Sequence, residues 1–272
     1  MAKKWNKLNR YDKQKLLSLT CIDKNLKNKR YDELSEDEQI QKMLNIYEVN
    51  CVGFDNPGSI YKHGIYKTFS KVNHSCIPNC YSIINRKNGL ERIIINWKDI
   101  KKDEEITINY LGAILPYNTR QYKLLDQWRF NCLCNECSKC INDTQYMNKM
   151  DKIYKMYTKY DDIIKTDTQE PMNNKYKYCV KMEYLLKNDM INQPRFILAK
   201  IYLYKAQILL VLKKYDDACS NILKSIELDV LYYGKYMDWT DTNIVIKRIP
   251  SKKRKILSKY HNKISGLLIP KK

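Results

Sequence analysis

Four cysteines stand within nine residues, Cys132, Cys134, Cys137 and Cys140, spaced C-x-C-x2-C-x2-C. Met1–Arg10 does not read as a secretory signal, so the ten cysteines are expected to be thiols or metal ligands rather than disulfides. Met1–Arg10 is polar and basic, with no apolar run behind it. Soft thiolates in a tetrahedral set suit zinc best. The C-x-C step is tight, so one ligand is expected from elsewhere; Cys140, Cys76 and Cys80 are the candidates. An iron–sulfur cluster, or a set of buried thiols without metal, are the competing readings. A zinc held by four thiolates has no open position for water, so it would be structural, and its binding would be coupled to folding.

The second chemical feature is Asn73-His74-Ser75-Cys76-Ile77-Pro78-Asn79, inside Lys71–Cys80. His74 by itself is a weak signal. With three histidines in the chain, His63, His74 and His261, no Ser–His–Asp arrangement can be read. As a unit, however, the segment resembles the NHSCxPN motif of SET-domain protein lysine methyltransferases. Three further segments agree in order. Gly64–Lys71 (GIYKTFSK) leads into the motif, Glu104–Gly112 (EEITINYLG) resembles the strand that ends in the SET catalytic tyrosine, and Phe130–Cys137 (FNCLCNEC) resembles the post-SET cysteine signature. The SMYD-like relatives are the nearest resemblance, because helices follow the cysteines. Leu231–Asp238 also loosely resembles the end of their helical region.

The resemblance implies roles. Asn73 and His74 stand where the family holds S-adenosyl-L-methionine, and Phe130 where it packs on the adenine. Tyr110 stands at the catalytic tyrosine. Phe54, Ile108 and Trp128 stand where the lysine channel is built. Cys76 stands at the fourth zinc ligand beside Cys132, Cys134 and Cys137, which would leave Cys80 and Cys140 outside the site. The implied activity is S-adenosyl-L-methionine-dependent lysine methylation, on a histone or another protein. Such a transfer is an in-line displacement, so alignment supplies much of the rate. An apolar channel favours the neutral amine it requires.

By pattern and composition the chain falls into four stretches. Residues 1–48 read as helical, Met1–Tyr47 by pattern, with a capping box from Ser35 to Glu38. Residues 49–112 read as short strands and turns and as the C-terminal half of a SET domain. Tyr81–Asn85 and Arg92–Trp97 flank an Asn88-Gly89 hairpin signal, and Glu105–Tyr110 is a third strand. Residues 113–140 hold a helix over Gln121–Trp128 and the post-SET zinc segment. Residues 141–272 are helical. Within them Ala206 and Ala218, twelve apart, with Leu209, Ile222 and Ser225, match the packing positions of one tetratricopeptide helix pair, without its closing proline. An ordinary helical hairpin fits equally well. The fold class is therefore α+β: a partial SET β-fold, a zinc-bound post-SET segment and an all-helical, TPR-like C-terminal domain.

The chain departs from the family pattern in its glycines. None of the seven, at 53, 58, 64, 89, 112, 234 and 266, forms the Gly-x-Gly that holds the methionine end of the cofactor. Met1–Tyr47 corresponds to the helical insert of the domain, with no MYND finger before it, and Val52 stands where many relatives place a cofactor-contacting Asn. The expectation is a fragment of a longer gene product or, as the alternative, an inactive SET-derived interaction module keeping a structural zinc. Lys plus Arg number 50 against 30 Asp plus Glu, a formal charge of +20. That balance opens nucleic acid as a partner, but no motif selects it, and a protein partner on the helical domain is a second option. No membrane span is expected, since Ile201–Leu212 is broken by Lys205 and Gln207. The expected location is cytoplasm or nucleus, with Lys252–Lys255 (KKRK) as a weak import signal.

Overall fold

The computed structural model describes residues 5–54, 62–84, 92–111, 114–166, 169–190, 196–233 and 245–251. Asn88-Gly89, Gly112, Lys252–Lys255 and most of Leu231–Asp238 lie outside them. Two compact units divide the chain. The first takes in Met1–Ala113 and Asn118–Lys139, the second Ile114–Tyr117 and Cys140–Lys272.

In the first unit, α1 (Arg10–Leu17) and α2 (Glu36–Asn50) are helices. The capping box forms as expected: the Ser35 hydroxyl accepts from the Glu38 amide, and the Glu38 carboxylate accepts from the Ser35 amide. The helical reading of Met1–Tyr47 fails between the two helices. The turns and irregular backbone over 18–30 are held by side chains of α2 instead. Asn45 Oδ1 accepts from the amides of Ile22 (2.8 Å) and Asp23 (3.2 Å). Buried Lys42 donates to the carbonyls of Lys27 (3.3 Å) and Lys29 (2.5 Å). Backbone groups satisfied in this way need no helix ladder. Trp5, Leu17, Leu19, Leu26, Met43 and Ile46 close the apolar core beneath them.

Among the described residues six short strands follow: β1 (Val52–Phe54), β2 (Lys62–Gly64), β3 (Asn73–His74), β4 (Cys80–Ile84), β5 (Arg92–Asn96) and β6 (Thr107–Ile108). They form three two-stranded pairs, β1–β2 and β4–β5 antiparallel and β3–β6 parallel. Ile83 pairs with Ile93 and Tyr81 with Ile95 across the β4–β5 hairpin. The third expected strand, Glu105–Tyr110, shrinks to the two residues of β6. The cause is Asn79, which is buried and stands in for a neighbouring strand. Its side chain accepts from the Thr107 amide (2.9 Å) and donates to the Glu105 carbonyl (2.8 Å).

Two helices complete the cysteine region. The first, α3 (Tyr117–Trp128), begins four residues before the expected Gln121, and α4 (Asn135–Asn142) follows the first two cysteines of the cluster. The second unit is built on α5 (Thr144–Thr166), α6 (Met172–Asn188), α7 (Phe196–Val211) and α8 (Tyr215–Tyr233). α7 carries apolar residues around most of its circumference, and Leu198, Ala199, Ile201, Tyr202, Ala206 and Ile208 are buried. Ile201 and Tyr202 join the core of α5 and α6, while Ala206 and Leu209 join that of α8. Lys213, at φ 60°, turns the chain from α7 into α8. Ala206, Ala218, Ile222 and Ser225 are almost wholly buried, so the small residues do sit where this helix pair packs tightly. Among the described residues no helix is long and apolar enough to cross a membrane.

Candidate metal and cofactor site

The cluster of thiols is assembled from three places. Cys76 lies on the bend after β3, Cys132 on the irregular segment after α3, and Cys134 and Cys137 at the start of α4. The four sulfurs lie within 4.8 Å of one another. Cys76 Sγ is 3.9 Å from Cys132 Sγ and 3.6 Å from Cys137 Sγ. Four thiolates around one zinc at about 2.3 Å would stand about 3.8 Å apart, so the donor set and its spacing fit that metal. Cys80 and Cys140 are buried but are not members of this group.

Neighbouring groups fix the cluster. The Cys134 carbonyl accepts from the Ser138 amide (2.8 Å), which starts α4 and gathers Cys134 and Cys137 at its N-terminal end. A helix N-terminus favours thiolate. Gln121 clamps Cys132: its amide donates to the Cys132 carbonyl and accepts from the Cys132 amide, both at 2.9 Å. Buried Arg120 places Nη2 3.9 Å from Cys137 Sγ, bringing a positive charge to the thiols. Hydrogen bonds from Cys134, Cys137 and Cys76 hold the Cys132 thiol far below the ordinary thiol range. Those same contacts with Cys132, Cys134 and Cys137 push Cys76 above it.

Beside the thiols stands an aromatic group. The Tyr110 ring is 5.3 Å from that of His74, 5.2 Å from that of Trp128 and 6.5 Å from that of Phe130. His74 is 6.1 Å from Phe130. The Tyr110 hydroxyl donates to the Val72 carbonyl (2.6 Å), and its backbone amide donates to His74 Nδ1 (3.1 Å). Burial pushes the Tyr110 phenol above its ordinary range. Trp128 is anchored by its indole N–H on the Val49 carbonyl (3.0 Å). Arg129, at φ 59°, takes the left-handed conformation that ends α3 and redirects the chain toward Phe130 and Cys132.

The structure therefore brings together His74, Tyr110, Trp128 and Phe130, and next to them Cys76, Cys132, Cys134 and Cys137. Ile108 is buried in β6, one strand from this group. Asn73 is exposed, with its side-chain amide donating to Glu105 (2.6 Å). Phe54 belongs to β1, with its side chain outside the described part of the structure. Sequence reasoning passed over Arg120 and Gln121. A signal existed for the first: Arg120 lies one turn from Leu124, on the face of α3 that is buried.

Part of the chain is similar to known proteins. Residues 4–111 match the SET domain family model. Over 92 residues the chain is 34% identical to the human histone-lysine N-methyltransferase SMYD3, an alignment covering 34% of this chain and 21% of that protein. It is 32% identical over 112 residues to the SET domain and MYND-type zinc finger protein 6 of Schizosaccharomyces pombe, covering 39% and 22%. A SET and MYND domain-containing protein of Dictyostelium discoideum is 39% identical over 111 residues, covering 38% and 19%. Residues 4–111 are thus similar to a SET domain, and the chain resembles SMYD-type SET proteins and is mostly helical after residue 111; it spans about a fifth of the length of these relatives.

Proposed function

We propose that this chain belongs to an S-adenosyl-L-methionine-dependent protein lysine N-methyltransferase. The observation that carries the reading is the double tether of Tyr110, whose amide is bonded to His74 and whose hydroxyl is bonded to the Val72 carbonyl. A hydroxyl whose proton is committed to a carbonyl keeps its oxygen lone pairs for an incoming N–H. Tyr110 so held would orient a substrate amine. Trp128 and Ile108, with Phe54, would line the approach and favour the neutral amine by desolvation. Asn73 and His74 would hold the cofactor, with Phe130 against its adenine. S-adenosyl-L-methionine would supply the methyl group from its sulfonium.

Cys76, Cys132, Cys134 and Cys137 would hold one structural zinc, closed to water, which pins the Cys76 bend to the start of α4. In this reading residues 1–48 are the SET insert, 49–112 the C-terminal half of the SET domain, 113–140 the post-SET segment and 141–272 a helical partner-binding domain. The substrate is a lysine of a histone or of another protein.

The second reading is a SET-derived interaction module that keeps its zinc and binds no cofactor. Titration calorimetry of the zinc-loaded chain with S-adenosyl-L-methionine separates the two. Binding supports the methyltransferase; no heat at millimolar cofactor, with zinc retained, supports the module.

A further inference from the structure

His74 touches both features of the site through its two ring nitrogens. Nδ1 accepts the Tyr110 backbone amide at 3.1 Å, so that nitrogen carries no proton. A neutral imidazole must then carry its proton on Nε2. Nε2 lies 3.4 Å from Cys76 Sγ, within reach of a hydrogen bond to sulfur. The ring therefore donates to Cys76 and accepts from Tyr110. The backbone reinforces this link on both sides. Asn73 and His74 pair with Thr107 and Ile108 in the parallel β3–β6 ladder, and the Ser75 amide donates to the Ile108 carbonyl at 3.0 Å.

We propose that His74 is a positioning residue that couples the metal–thiolate cluster to Tyr110, a role distinct from contact with the cofactor. The inference rests on the reading that Cys76, Cys132, Cys134 and Cys137 hold a metal. A donor to a metal-bound thiolate offsets part of its negative charge and fixes its direction, so the metal binds more tightly. The same ring, held by Cys76, presents Nδ1 to the Tyr110 amide and so sets where the tyrosine begins. Loss of the metal frees Cys76, lets the ring turn and loosens Tyr110.

The two nitrogens can be removed separately. The side chain of Asn places its oxygen near the Nδ1 position but cannot reach Cys76. That of Gln places its amide near the Nε2 position but leaves the Nδ1 position without an acceptor. Zinc affinity of the full chain is measured by competition with a chromophoric chelator for the wild type, His74→Asn and His74→Gln. Cobalt substitution adds the sulfur-to-metal charge-transfer band as a direct signature of the thiolates. Exchange of the Tyr110 amide hydrogen, with and without zinc, reports on the other end.

The expected results are an affinity about 10- to 100-fold weaker in His74→Asn, the usual effect of losing a partner behind a metal ligand, and a shifted cobalt band. His74→Gln should keep affinity and band close to wild type yet exchange the Tyr110 amide fast with or without metal. In the wild type, zinc should slow that exchange. Equal zinc affinity in His74→Asn and wild type, or Tyr110 exchange that ignores zinc in the wild type, would overturn the coupling while leaving the metal site standing. A wild-type chain that takes up neither zinc nor cobalt would overturn both. Should His74→Asn fail to fold, the Gln variant and the zinc dependence of wild-type exchange decide alone.

Discussion

The backbone amide of Tyr110 donates to Nδ1 of His74 across 3.1 Å, joining residues 36 positions apart in the chain. This bond ties the end of the EITINY segment to the segment that also delivers Cys76. It makes the thiol cluster and the aromatic group one structural problem, and the predictions follow from how each is held.

Metal content should depend on Cys76 and not on Cys80 or Cys140. Metal analysis of purified chain should find about one zinc in the wild type, Cys80→Ser and Cys140→Ser, because a closed structural site needs four ligands. Cys76→Ser should lose most of it. Retention in Cys76→Ser together with loss in Cys140→Ser would point to a local cluster instead.

Asn79 replaces a strand partner for residues 105–107, so Asn79→Ala should leave the Thr107 amide and the Glu105 carbonyl unpaired. Two backbone groups orphaned near a buried position cost about 1–3 kcal/mol. Urea unfolding followed by tryptophan fluorescence should show the loss.

Ile222 is fully buried in α8 against α7. Ile222→Ala should destabilise the helical unit by about 2–5 kcal/mol, the range for a buried aliphatic truncation. The far-ultraviolet helical signal on heating is the measurement, and an unchanged midpoint would contradict the packing described.

Glu183 receives hydrogen bonds from Lys205 (2.7 Å), Lys187 (2.6 Å) and the Tyr202 hydroxyl (3.0 Å). Burial opposes the charge, yet the two lysines outweigh it and hold the carboxyl at about 2, below its ordinary 4.5. A depressed carboxyl contributes stability above its unfolded value, and that stability is lost as pH falls from 4.5 toward 2. Solvent screening limits the contribution to roughly 1–2 kcal/mol. Thermal scans should show Glu183→Gln less stable than wild type at neutral pH and level with it near pH 2.

Local signals carried much of the fold into view. The capping box at Ser35, the β-rich runs of β4 and β5, and the alanines of α7 and α8 depend on residues a few positions apart, and each appears in the structure. What escaped depends on distant side chains replacing a local partner. Asn45 and Lys42 hold 18–30 out of helix, and Asn79 shortens β6. In the site, spacing drew attention to the cysteines and motif order to Tyr110. Helical period places Arg120 on the buried face of α3 but does not show its contact with Cys137, and no period marks Gln121, which acts through Cys132.

Methyl transfer is the decisive measurement. The zinc-loaded chain, joined where required to the remainder of its protein, is incubated with methyl-labelled S-adenosyl-L-methionine and histones or a lysine peptide library, and label on lysine is counted. The account predicts labelling by the wild type and at least about a tenfold loss in Tyr110→Phe, the scale on which a positioned catalytic group acts, with zinc content and cofactor affinity retained. Equal labelling by Tyr110→Phe, or a wild type that binds neither cofactor nor substrate while keeping its zinc, would contradict it.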